Sequence, residues 1–141
     1  MEQALSTECL RRAAQESDKS KRTDALISEL RYRAARCAAL AGCGLGKDSA
    51  KLSAAEQTHW RRKALEWLRT DLVELSKTLD SGLRADGDIA KEMLTLWQDE
   101  PDLAWLREPA GLERLAADER KGCLALWAKV GAVLARCGKT P

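Results

Sequence analysis

A chain of 141 residues is long enough to bury a sizeable core and is one domain by length. Apolar residues make up 45% and charged residues 33%, with a net charge of +2, which suits a charge-studded globular protein and singles out no strongly charged partner. No apolar run approaches the ~20 residues that cross a bilayer. The start, Met1-Glu-Gln-Ala-Leu-Ser-Thr-Glu8, lacks the basic patch and apolar stretch of a signal peptide, so a cytoplasmic chain is expected.

Strand formers are scarce: there is no Phe, one Tyr, two Ile and three Val, while Ala, Leu, Arg, Lys and Glu dominate. The expected fold is therefore all-α, with about five main helices. A helix is expected over residues 2–15, with Ala4, Leu5, Leu10 and Ala13/Ala14 as a weak apolar stripe. A polar connection over 17–22 follows, with Thr23 as a cap. A second helix is expected over 24–41, where Leu26, Leu30, Ala34, Cys37/Ala38 and Ala41 recur at helical spacing. Ser53-Ala-Ala-Glu56 has the form of a capping box and predicts a long helix to about residue 80. Its core stripe is Trp60, Ala64, Trp67/Leu68, Leu72, Leu75 and Leu79, widened by Leu65 and Val73. Glu56, Glu66, Asp71 and Glu74 are expected on its solvated face. Ser81-Gly82 ends it. A shorter helix is expected over 86–99 with Ile89, Met93 and Leu96/Trp97 inward. Pro101 and Pro109 each open a compact turn, as proline does at a first helical position. The last helix, 118–137, buries Cys123, Trp127, Val130, Leu134 and Cys137, and Gly138 stops it.

The stretch Ala41-Gly-Cys-Gly-Leu-Gly-Lys-Asp48 invites comparison with a phosphate-binding loop. That motif is G-x-x-x-x-G-K-[ST] after a buried strand. Here Ala41 stands at the first glycine position and Asp48 at the hydroxyl position, and the flank is helix-forming. A helix end followed by a loop is the expectation, and no nucleotide or other cofactor is implied.

Three segments, LRYRAARCAALAGCGLGKD, LSAAEQTHWRRKALEWLRTDL and DEPDLAWLREPAGLERLAADERKGCLALWAKVGAVLAR, taken in this order and spacing, resemble the C-terminal region found after tetratricopeptide-type repeats in planctomycete serine/threonine protein kinases. The resemblance covers about residues 30–138. It implies that the chain opens with a tetratricopeptide-like antiparallel helix pair. It also implies a non-catalytic appendage that recruits partners or arranges a kinase. Residues 1–22 are then an N-terminal helix and polar linker, either the remnant of a preceding repeat or a cap, and residues 23–141 the helical domain. Kinase machinery is not visible: there is no V-A-I-K strand, no H-R-D loop and no D-F-G.

His59 is the only histidine, and Cys37-x5-Cys43 with that one histidine fits no usual zinc pattern, so no metal site and no catalytic residue is expected. The five cysteines, at 9, 37, 43, 123 and 137, are expected to be small buried apolar residues with unlinked thiols. Arg31, Arg33 and Arg36 on one helix, and Arg61, Arg62, Lys63 and Arg69 on the next, are expected to make a basic face. Arg33, Arg36, Arg62 and Arg69 are the candidate contacts to an acidic protein or peptide, with Trp105 in the irregular DLAWL turn as a second anchor. Nucleic acid is the first alternative partner, though the lack of Phe and the single Tyr remove most stacking platforms. A small molecule held by Trp60, Trp67 and Trp127 is the second.

Overall fold

The computed structural model describes residues 21–45 and 51–137. The expected helix over residues 2–15, Cys9, the Gly46-Lys47-Asp48 end of the glycine-rich run and the stop at Gly138 lie outside them. Every regular element among the described residues is helical: α1 (Lys21–Gly42), α2 (Ala54–Leu79), α3 (Arg84–Asp99), a 3-10 turn (Pro101–Leu103), α4 (Ala104–Arg107), α5 (Pro109–Leu112) and α6 (Ala117–Cys137). Contacts divide the chain into two units, Met1–Asp71 and Leu72–Pro141. No helix among the described residues is long and apolar enough to cross a membrane.

The first unit is built on close packing of small side chains. α1 begins at Lys21, earlier than the polar connection expected over 17–22, so Lys21, Arg22 and Thr23 are helical and Thr23 is not a cap. Lysine and arginine are strong helix formers, and no Pro or Gly interrupts them. Ala34, Ala35, Ala38, Ala39 and Ala41 are all buried. Two contacts set the direction of α2 against α1. The Arg61 guanidinium donates to the Gly42 carbonyl (2.6 Å), and Arg31 donates to Asp71 (2.7 Å). Moving back along α1 from 42 to 31 means moving forward along α2 from 61 to 71, so the two helices are antiparallel.

The glycine-rich run serves this packing. A Cβ on Gly42 would fall 2.8 Å from the Arg61 nitrogen and 2.9 Å from the Gln57 carbonyl oxygen, so only glycine lets the backbones meet there. The left-handed position that ends α1 is Gly44 (φ 74°). Leu45 N–H donates to the Leu40 carbonyl (2.8 Å) and Gly44 N–H to that of Ala41 (3.3 Å). This is a Schellman closure, which supplies partners to carbonyls the helix leaves over. At the start of α2 the capping box forms as its sequence predicts: Glu56 N–H donates to the Ser53 hydroxyl and Ser53 N–H to the Glu56 carboxylate, both 3.2 Å.

Two expectations for α2 change. Val73 does not widen the core stripe; it is 52% exposed. Asp71 does not lie on the solvated face; it is 1% exposed. It follows Ala64 and Leu68 at helical spacing, so the helix carries it to the buried side, where Arg31 meets it.

In the second unit α2 ends at Leu79, and the turn after it closes at the left-handed Gly82 (φ 73°), as its Ser-Gly signal implies. α3 then packs on α6. Its phase departs from expectation. Trp97 is buried as expected, but Ile89 and Leu96 are 52% and 58% exposed and Met93 is half-buried, and it is Gly87, Ala90 and Leu94 that join Trp97 inward. Two stripes at the same period, one residue apart, compete for burial in this sequence. The winning stripe carries the largest side chain, Trp97, together with Gly87 and Ala90, whose small size lets a neighbour approach.

Pro101 and Pro109 stand at first-turn positions, as expected. The segment between α3 and α6 is a series of short helical turns, and two arginines supply partners for carbonyls at their ends. Arg107 donates to Trp97 and Glu100 (3.0 Å each), closing α3. Arg120 donates to Leu112 and Leu115 (3.1 Å each). Leu103, Leu106, Leu112 and Leu115 are buried beneath. In α6, Cys123, Val130 and Cys137 are buried as expected, and Leu126 and Val133 join them. Trp127 and Leu134 are half-buried at the margin. Burial pushes the Cys137 thiol above its ordinary range, against smaller opposing effects of a backbone hydrogen bond and of Arg136 and Lys91.

Candidate interaction surface

The arginines proposed from sequence as one basic face fall into two groups. Arg31 and Arg61 are consumed by the fold, one by the buried Asp71 and the other by the end of α1. Arg36 is half-buried, with its guanidinium 5.3 Å from the centre of the Tyr32 ring. Arg33 is exposed and paired with Glu29 one turn earlier (3.0 Å). Lys63 is paired with Glu66 at 3.5 Å.

Arg62 and Arg69 differ from all of these. Both are exposed, and neither makes an ion pair or hydrogen bond among the described residues. They lie seven positions apart in α2, two helical turns, so they share one face with their stems about 10 Å apart along the axis. Glu66, the carboxylate between them, is the one held by Lys63. The result is two planar donor forks in line on a rigid element, able to grip two carboxylates or phosphates in bidentate fashion.

Trp105 is half-buried. The Arg114 guanidinium stacks 4.5 Å from its ring centre. Gly111 packs so closely on the Trp105 backbone that a Cβ there would meet the Trp105 carbonyl carbon at 2.7 Å. A shallow cavity of about 160 Å³ beside it is lined by Ala104, Trp105, Glu108, Ala110 and Gly111. Trp67 and Trp127, expected in the core, are half-buried. The Trp127 indole donates to the Leu106 carbonyl at 3.0 Å. Trp60 (7% exposed) and Trp97 are the buried tryptophans.

His59 is exposed, as a surface histidine should be, with its ring edge-on to Trp60 at 5.2 Å. The cysteines do not all behave as buried apolar residues: Cys37 is exposed and Cys43 half-buried, while Cys123 and Cys137 are buried. Cys37 lies one turn after Arg33 on the outer face of α1, away from the alanines that pack inward. Among the described residues no three His, Cys, Asp or Glu side chains come together as a metal ion would need. No protein-family model, curated protein or solved structure matches this chain.

Sequence reasoning missed the exposed ridge of α3. There Ile89 and Leu96 stand beside the carboxylates of Asp88, Glu92 and Asp99, all exposed. The signal for it was present: five acidic residues in the 15 positions 86–100, against Lys91 as the one base.

Proposed function

We propose that this chain is a non-catalytic helical protein–protein interaction or capping module, of the kind that follows tetratricopeptide repeats in planctomycete serine/threonine kinases, and that it binds an acidic protein or peptide segment. The observation that carries this reading is the pair Arg62 and Arg69. Their charge is not used by the fold, they stand in line on one helix, and the carboxylate between them is neutralised by Lys63. The antiparallel pair of α1 and α2, closed by Gly42, supplies a stiff platform for them.

Reversal of both residues, Arg62→Glu with Arg69→Glu, tests it. Exposed charges contribute little to stability, so the melting temperature should stay close to that of the parent. Affinity for a polyglutamate probe should fall by about tenfold or more at low salt and by less at high salt, where the attraction is already screened. Duplex DNA should bind neither protein; saturable DNA binding with a steep salt slope would replace this reading with a nucleic-acid one. Polyglutamate affinity unchanged by the reversal would refute it.

A further inference from the structure

Two exposed charge pairs among the described residues match each other in spacing and oppose each other in sign. In α2, Arg62 and Arg69 are seven residues apart, exposed and unpaired among the described residues. In α3, Glu92 and Asp99 are also seven residues apart, exposed and unpaired among the described residues. Both spacings are two helical turns, about 10 Å along an axis. Each pair is accompanied by an exposed apolar side chain: Val73 lies one turn beyond Arg69, and Ile89 one turn before Glu92.

We propose that a second copy of this chain is a partner of the arginine pair, with α2 of one copy docking along the outer ridge of α3 of another. This rests on the reading of Arg62 and Arg69 as a binding pair and names what they bind. The register follows from the side chains. With the two helices antiparallel, Arg62 meets Asp99, Arg69 meets Glu92, and Val73 comes beside Ile89. With the helices parallel, Arg62 would meet Glu92 and Arg69 would meet Asp99, but Val73 would pass beyond the end of α3 and leave Ile89 uncovered. The antiparallel register is therefore the one that covers apolar surface as well as pairing charge. Ile89, Met93 and Leu96 also acquire a role: they form the apolar strip of this ridge, with acids along its side, instead of facing the core. Resting on a few exposed pairs, the contact is weak and salt-sensitive.

Charge exchange tests the proposal. The first variant carries Arg62→Glu and Arg69→Glu; the second carries Glu92→Lys and Asp99→Lys. In sedimentation velocity at low salt the parent should gain apparent mass with concentration and lose that gain at high salt. Each variant alone should stay monomeric, because its two patches now share a sign. An equimolar mixture should associate again, since each patch of one variant then faces an opposite charge on the other. A parent that is monomeric across the concentration range, or a mixture that fails to associate, overturns the proposal. Polyglutamate titration of the same proteins separates this failure from failure of the wider reading. If the first variant loses the probe while the mixture stays monomeric, the arginine pair binds acidic partners but not a second copy.

Discussion

Replacing Asp71 with Ala is expected to cost about 3–5 kcal/mol of stability, the range for removing one partner of a buried ion pair. The carboxylate is almost fully enclosed and accepts from Arg31 at 2.7 Å, while the Arg31 side chain keeps 19% of its exposure. Loss of the carboxylate leaves a guanidinium mostly out of water with its main acceptor gone. Residual access to solvent moderates the loss, so the lower end of the range is expected. The cost belongs to the orphaned charge and not to the pair as such. Arg31→Met combined with Asp71→Leu should therefore recover most of the stability. Denaturation followed by circular dichroism measures both variants. If Asp71→Ala unfolds with the parent, the carboxylate is solvated and the phase of α2 is wrong.

Replacing Trp97 with Ala should cost about 3–5 kcal/mol, the figure for removing a large aromatic from a packed interior. Trp97 is 1% exposed and is the largest fully buried side chain described. Its removal leaves a cavity that the surrounding side chains fill only in part. The informative control is one residue away. Leu96→Ala should change stability by no more than about 0.5 kcal/mol, because its side chain is largely in solvent. The pair measures the rotation of α3 directly: equal losses, or a larger loss at Leu96, would restore the sequence-based phase.

Local signals in this sequence translated well into structure because the physics behind them is local. Ser53 and Glu56 cap α2 with bonds that span three residues, and Pro101 and Pro109 open turns by fixing their own backbone angle. Gly82 closes α2 for the same kind of reason. What was not legible depends on partners distant in the chain. Asp71 looked like one more carboxylate on a charged helix until Arg31, forty residues earlier, supplied its counter-charge. The phase of α3 could not be chosen by periodicity, since Ile89-Met93-Leu96 and Ala90-Leu94-Trp97 have the same period. Packing against α6 decided it. The arginines were the hardest to sort. Arg61, Arg107 and Arg120 look in sequence like any surface cation, yet each closes the carbonyl end of a helix or turn. With those set aside, Arg62 and Arg69 remain as two exposed guanidinium groups in line on α2.

That division of the arginines is most directly tested by ¹⁵N–¹H spectra of the arginine side chains during titration with an acidic peptide. Arg31, Arg61, Arg107 and Arg120 are held by Asp71 or by backbone carbonyls, so their signals should be protected from exchange and should not move. The signals of Arg62 and Arg69 should exchange rapidly without peptide, then sharpen and shift together along one saturable curve. Shifts confined to the held arginines, or an acidic peptide that moves neither Arg62 nor Arg69, would contradict the assignment of this face as the binding surface.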